Sequence, residues 1–400
     1  MTRRAAGAVT RLDGITVGVG GVADFDALGL RWRDLEQRAA GSFFQSWTWV
    51  GCLVAERFPD PILVEVTEGG RTVALALFNR VRRRFGPAVL HLGASGTSEL
   101  DCPYVEQNGV LSEAGRETEL TAFCLHTVAS RYDLSLPGID EPGLMTLRRV
   151  ARLVRVTRSQ PSPFVDLAAL RLSGQDYLGS RSANTRQQIR RSDRLYERRG
   201  TIAVELAGTV AAGHAMLDEM AELHQAAWGA RGRPGAFARP FFGRFHHALI
   251  ATALPRGEAV LIKVTCNTTT IGIVYNFLFR RRMLSYQSGF AYDGRDSHAK
   301  PGLTCHARAI EVALRDGDDV YDFLAGDDRY KRSLADSAHQ QVWAESGPLW
   351  SPCQLAHAIW EAMRGRWDEP GPHDKTLRMF NFDKSLSRQR TDSKEFLYLV

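Results

Sequence analysis

"LVEVTEGGRTVALALFNR" (Leu63–Arg80) and "LIKVTCNTTTIGIVYNFLFR" (Leu261–Arg280) are the two stretches whose reading decides the fold. Each runs as a β-branched strand, a short polar turn and a longer apolar strand, the pattern of a β-hairpin. Leu, Val and Thr recur in register, the turns end in Thr72 and Thr270, and the copies lie 198 residues apart. Self-similarity at a fixed period signals duplication within the chain. Length agrees, because 400 residues exceed what one hydrophobic core usually organises.

The surroundings of the hairpins echo each other. In the first half, helical periodicity fills 24–39 and 46–56, and strands follow the hairpin near Val89 and Cys102. A helix is expected over 113–131 and a strand over 132–136. In the second half, a helix over 184–199 leads to the strand "TIAVEL", and helices fill 211–228 and 241–254. A third strand, "MLSYQSGF", extends the hairpin; a helix over 301–315, the strand "VYDFL", a short helix and the strand "QQVWAES" complete the half. Strand meanders interrupted by helices make an α+β layout. "RSQPSPF" (Arg158–Phe164) reads as the connection. The expected divisions are therefore 1–160, 161–350 and a C-terminal helix and tail over 351–400.

Composition narrows the function classes. With 44% apolar and 24% charged residues the chain is ordinary globular material, and its net charge of +6 suits an anionic partner without choosing one. The six cysteines show no C-x-x-C pair, which reads as reduced thiols rather than a disulfide frame. No His/Cys/carboxylate cluster has metal-ligand spacing, so no metal is expected. No G-x-S-x-G elbow appears, which argues against a serine hydrolase. The N-terminus lacks the apolar core of a secretory signal and no apolar run is long enough to span a bilayer. The expected location is cytoplasmic, with peripheral inner-membrane contact as a variant.

Only six lysines occur among 51 basic residues, so "SHAKPGL" (Ser297–Leu303) stands out. Pro301 suits a first helical position, and helix-spaced Leu303, Ala307, Ile310 and Leu314 follow. A helix start beside Lys300 offers backbone N–H groups and a positive dipole end to an anion, although Pro-Gly is also a plain start signal. Next, "VYDFLAGDDRYKRSL" puts Asp322 inside an apolar strand and Tyr330 and Lys331 on a short helix. A buried carboxylate must be paired, by an Arg for instance, or used chemically. Arg186, Arg190, Arg194 and Arg198 recur every four residues as one basic stripe, either solvated or meeting phosphates, lipid headgroups or tRNA. "WGARGRPGAFARPFF" reads as a mobile loop whose Trp228, Phe237, Phe241 and Phe242 cover an apolar cleft or anchor the core.

On these residues the chain resembles the GNAT acyltransferase superfamily. In particular it is similar to BioF2-like or CelD-type acetyltransferase domains, related to the two-domain FemABX fold. The matching stretches are "FFQSW" (43–47), "SANTRQQIRR" (182–191), "LHQAAWGARGRPGAF" (223–237), "KPGL" (300–303) and "DFLAGDDRYK" (322–331). The resemblance implies tandem GNAT-like folds, with acyl-CoA held as co-substrate by the second. It implies that strand 283–290, through Ser288, Gly289 and Phe290, bonds the pantetheine, with Gly289 allowing close approach. Lys300, Gly302, Lys331 and Arg186 would face the phosphates, and Trp228, Phe237 and Tyr292 the acceptor. Tyr330 stands where such enzymes place the acid for the leaving thiolate. His298 and Asp322 are alternative bases for the amine. The usual phosphate loop, Q/R-x-x-G-x-G/A, is absent, and "RDSHAKPG" stands in its place.

The reading that follows is an acyl-CoA-dependent N-acyltransferase acting on a primary amine, a sphingoid-type lipid amine being the favoured acceptor. Its partners are acyl-CoA and a small or lipid amine. The competing readings are a FemABX-type aminoacyl-tRNA-dependent transferase and a non-catalytic binding module.

Overall fold

The structure, a computed structural model, describes residues 8–12, 14–292, 296–348 and 350–352. The tail expected over 351–400 falls outside these except for Ser351 and Pro352. Fourteen strands form one sheet: β1 Ala8–Leu12, β2 Ile15–Gly21, β3 Pro61–Glu68, β4 Arg71–Val81, β5 Val89–Leu92, β6 Leu111–Ser112, β7 Asp133–Ile139, β8 Leu153–Asp166, β9 Ile202–Leu206, β10 Ala259–Cys266, β11 Thr269–Phe279, β12 Arg282–Phe290, β13 Val320–Asp322 and β14 Ser337–Gly347. The strand order is β1-β2-β3-β4-β5-β7-β14-β8-β13-β12-β11-β10-β9, with β6 paired to β4. Most pairs are antiparallel and helices flank the sheet, so the α+β class stands.

The duplicated hairpins are β3–β4 and β10–β11. Both carry a register shift at the same point of the repeat, Val66/Thr67 in one and Val264/Thr265 in the other. A bulge twists and bends a strand and is a specific feature rather than a by-product of apolar patterning. Its recurrence therefore strengthens the case for duplication. Each half also contains one parallel pair, β5 with β7 and β12 with β13. Parallel neighbours need a crossover, supplied by helix Glu117–Ala129 in the first half and helix Pro301–Arg315 in the second.

The structure corrects three local expectations. Arg158–Phe164 is not a loop but part of β8, paired with β14 from Arg158↔Trp343 to Phe164↔Ser337. No strand forms at Cys102. The helix expected over 46–56 is two short ones, Trp47–Val50 and Val54–Arg57, broken where Leu53 takes a left-handed φ of 48°.

The halves interlock at their last strands. β8 runs through the expected boundary at 160, its last residues Phe164–Asp166 pairing with β13, while β14 from the second half lies between β7 and β8. A shared aromatic core reinforces the joint. Phe43 stacks on Phe277 at 4.2 Å, and Trp49 meets Tyr286 and Phe245 edge-on at 5.8 and 5.0 Å. Full burial of such rings contributes about 1.5–3 kcal/mol each, so the inter-half seam is hydrophobic core and not a hinge.

Candidate functional site

The second-half site is built where two parallel strands part. β12 and β13 pair only through Arg282↔Val320, Met283↔Tyr321 and Leu284↔Asp322. There β13 stops, and the chain turns away through Leu324 and Gly326, with φ of 59° and 144°. β12 continues to Phe290 against β11, and a register shift opposite Tyr275/Asn276 leaves Tyr286 as an extra residue. The result is a notch bounded by Ser285–Phe290 on one side and Phe323–Gly326 on the other. Helix Pro301–Arg315 starts at its mouth.

The electrostatics of that helix start suit an anion. Its first turn holds no acidic residue, Pro301 contributes no N–H, and Thr304 N already bonds Lys300 O. Gly302 and Leu303 are left with N–H groups that lack intrahelical acceptors. Lys300 is exposed beside them, and its backbone N–H is anchored by Ser192 Oγ at 2.9 Å. The crossover helix of the first half, by contrast, carries Glu117 and Glu119 in its first turn. The second-half helix adds no carboxylate of its own to its first turn, although Asp193 of the neighbouring helix accepts from Thr304 Oγ1 at 2.9 Å, whereas the first-half helix adds two.

The floor of the notch comes from the other half. The Tyr104 hydroxyl donates to Tyr286 O, and its ring stacks on Tyr286 at 4.5 Å. Glu106 accepts from Ala325 N–H at 2.5 Å and from Gln341 Nε2 at 3.3 Å. Gln107 Nε2 donates to Asp322 Oδ2 at 2.9 Å. The three polar residues of "YVEQ", Tyr104, Glu106 and Gln107, thus hold both sides of the notch at fixed separation. Sequence reading missed them because no period or motif marks a segment whose partners lie about 180–235 residues away.

Asp322 is fully buried and fully engaged. Ser162 Oγ and Leu324 N–H donate to Oδ1 at 2.8 Å each, and Arg282 lies 3.5 Å from Oδ2. Burial pushes its pKa up, against the pull of these donors and of Arg282. The pairing reading therefore describes Asp322. It fastens the turn leaving β13, on the face opposite Tyr330. Tyr330 sits on the other side, its ring stacked on His306 at 5.4 Å. Burial raises its hydroxyl well above the ordinary tyrosine range, so it stays protonated, as an acid must. The expectation that Asp322 and Tyr330 converge on one carbonyl is corrected.

Lys331 is also displaced from its expected role. It is 2% exposed, and Nζ donates to Ala325 O at 2.9 Å and Leu324 O at 3.3 Å. Burial lowers its pKa, and Glu106, Asp328 and Asp322 hold the charge against that. Nζ would stand 2.9 Å from a Cβ at Gly326, so that turn needs glycine for space as well as for φ. Lys331 ties the turn and does not face phosphate. Arg186 bonds Gly179 O and Arg181 O at 2.9 and 2.8 Å, fixing the chain before its helix, Ala183–Glu197. Arg190, Arg194 and Arg198 are exposed. His298 is exposed on the loop, its backbone N–H held by Asp296.

Along β12, Gly289 does allow a close approach, but by protein. A Cβ there would meet Met220 O at 2.3 Å, so the glycine seats helix Val210–Gly229. Ser288 O faces His224 Nδ1 at 3.0 Å, and His224 Nε2 accepts from Ala236 N–H at 3.2 Å. This unexpected histidine pins the glycine-rich loop to the strand, and burial lowers its pKa. Phe290 packs against Gly302 and His306. Trp228 and Tyr292 share the guanidinium of Arg231 at 5.8 and 5.9 Å, and Tyr292 is 57% exposed. Phe237 packs edge-on against His224 and Phe242, while Phe241 and Phe242 are core anchors.

The first half has a notch of its own. β5 and β7 pair through His91↔Ser135 and then part at Leu92 and Leu136. Asn108 bridges the parting, its Nδ2 donating to Leu92 O at 2.9 Å and Pro137 O at 3.0 Å. Beside it lies a cavity of about 580 Å³, lined by Leu92, Leu136 and Thr121 and, from the second half, by Leu284, Arg282 and His339. Gln107 also lines it, so three groups near Asp322 face this space. Among the described residues no cluster could hold a metal ion, and no helix is long and apolar enough to cross a membrane.

Comparison with known proteins agrees with this fold. Residues 183–332 match the family described as an acetyltransferase (GNAT) domain. No curated protein sequence matches the chain. Among solved structures the chain is similar to FemX, with a TM-score of 0.55 and 10% identity over 83% of this chain and 98% of that one. It is similar to L-PGS from Bacillus licheniformis, with a TM-score of 0.51 and 10% identity over 83% and 96%. A conserved Bacteroides thetaiotaomicron protein of unknown function gives 0.52 and 8% identity over 80% and 97%. At these identities the likeness is one of fold.

Proposed function

The chain carries a GNAT-type acyltransferase domain at residues 183–332, and from that premise we propose that it is an acyl-CoA-dependent N-acyltransferase acting on a primary amine. The observation that carries the reading is the β12–β13 notch with, at its mouth, a helix whose own first turn contributes no acidic residue and which Lys300 precedes. The anionic head of the carrier docks at Gly302, Leu303 and Lys300. The arm enters between Ser285–Phe290 and the 323–326 turn, beside Tyr330. The amine nitrogen attacks the thioester carbonyl, a C–N bond forms, the C–S bond breaks, and the sulfur takes a proton while the nitrogen loses one. Tyr330, kept protonated by burial, is the proton source for the sulfur. His298, exposed on the mouth loop, is the base left to consider, since Asp322 is committed to the turn. The units 1–160 and 161–350 are tandem GNAT-like halves that meet within β8, the second sending β14 to pair with β7 of the first.

The acceptor favoured is a lipid amine of sphingoid type. The aromatic segment beside β12 supports it, with Trp228 and half-exposed Tyr292 around Arg231 and Phe237 against His224, together with the exposed arginines of helix Ala183–Glu197. Purified protein mixed with acyl-CoAs and an amine panel should release free thiol in proportion to amide formed. No thiol with any pair would overturn the proposal. A second reading, transfer from aminoacyl-tRNA, is favoured by the FemX-like fold together with exposed Arg190, Arg194 and Arg198. Tight, salt-sensitive tRNA binding at 0.15 M ionic strength would shift the assignment to it.

A further inference from the structure

Behind Tyr330 lies an imidazole that the chemistry above does not use. His306 sits in the second turn of helix Pro301–Arg315, 1% exposed, with the rings of Phe290, Phe323 and Tyr330 at 5.7, 5.4 and 5.4 Å. A chain of hydrogen bonds fixes its tautomer. Asn276 Nδ2 donates to Val260 O at 3.2 Å and Val274 O at 3.4 Å, so Oδ1 is the atom that accepts from the Tyr321 hydroxyl at 3.3 Å. A tyrosine hydroxyl has one proton; Ser285, which also bonds it, can itself donate, whereas buried Asn276 Oδ1 can only accept, so the proton goes to Asn276. The Tyr321 oxygen must therefore accept from His306 Nδ1, 3.3 Å away. Nδ1 carries the ring's proton and Nε2 is a bare lone pair. That Nε2 is buried with no hydrogen-bond partner.

Burial, and then the Lys331 charge, push the imidazole down to about 3, so it is neutral throughout the physiological range. The titratable groups facing it are Tyr321, Tyr330 and Lys331. A buried acceptor without a donor is unfavourable, and native structures keep few of them without a use. Two neighbouring carbonyls of β12 already hold a donor each, Tyr286 O the Tyr104 hydroxyl and Ser288 O His224.

We propose that His306 Nε2 is the docking acceptor for an amide N–H on the arm of the acyl carrier. The contact rests on the acyl-CoA reading above and supplies an acceptor from a side chain, beside β12 carbonyls that each already hold one donor. His306 binds and aligns the arm and moves no proton.

The test uses the full chain labelled with ¹⁵N-histidine and titrated with CoA. The unprotonated Nε2 resonance of His306 should move toward the hydrogen-bonded range at saturation while its Nδ1 stays protonated. His306→Asn keeps a donor for Tyr321 and removes the Nε2 acceptor, and it should raise the Kd for CoA about tenfold. His306→Gln, which places an oxygen near the Nε2 position, should stay within about threefold. CoA that binds the unaltered chain and leaves Nε2 unmoved overturns the proposal, and this readout holds even where a variant fails to fold. Unchanged affinity in a folded His306→Asn protein overturns it too. An unaltered chain that binds no CoA at all instead defeats the acyl-CoA reading on which the contact depends.

Discussion

The two notches of the molecule share a plan and differ in what crosses them. In the first half, Asn108 donates to both strands, joining Leu92 O to Pro137 O with one side chain. In the second, the strands are held by two separate groups, Tyr104 on Tyr286 O and Glu106 on Ala325 N–H, and neither reaches across. The helix starts differ in the same sense, Glu117 and Glu119 against Lys300–Pro301–Gly302. The comparison teaches that a duplicated fold can turn one copy's notch into structure and lend residues from it to brace the other.

The strongest way to break this comparison is at the brace. Asp322→Ala removes an acceptor from Ser162, Leu324, Gln107 and Arg282, and should lower stability by about 3 kcal/mol or more, read as a shift in the urea midpoint. A loss under about 1 kcal/mol would mean that the turn holds itself. Next, Asn108→Ala takes a donor from buried Leu92 O and from part-buried Pro137 O and should remove about 2 kcal/mol while kcat changes less than about twofold. A large fall in kcat with stability intact would make the first notch part of the reaction.

Two smaller effects sharpen the contrast. Lys300→Glu should raise KM for acyl-CoA about three- to tenfold, more at low salt, whereas Glu117→Lys should leave it unchanged. Equal responses would erase the electrostatic difference between the helix starts. Acid should act through buried histidine. His246 is fully buried, and burial, then His247 and Arg57, hold it down to about 3 in the fold. The folded pKa lies below the unfolded one, so its contribution is complete above about pH 6.5 and is lost as pH falls. From pH 6.5 to 5.5 that loss is about 1 kcal/mol, and a His246→Phe protein should lack it in parallel urea titrations.

Much of this was legible in the residues. The paired hairpins, their 198-residue spacing and the helix beginning at Pro301 all follow from local patterning, and the structure adds a bulge at matching points of the repeat. The site was legible only in part. The scarcity of lysine marks Lys331 as an unusual place, but its ammonium points inward to Leu324 O and Ala325 O. Asp322 was rightly seen as a buried charge needing partners. "YVEQ" and His306 carried no signal, because their roles arise from partners in other segments.

What the sequence determined alone is the set of elements and their duplication, since periodicity, turn residues and helix starts act over a few residues. Only the tertiary structure decided that β8 runs across both halves and β14 crosses to β7, that Asp322 and Tyr330 face opposite sides of the sheet, and that His306 keeps an unclaimed lone pair. The reason is physical. Where a side chain points, and whether its polar atoms are satisfied, depends on groups brought together from distant parts of the chain, and no local pattern encodes that meeting.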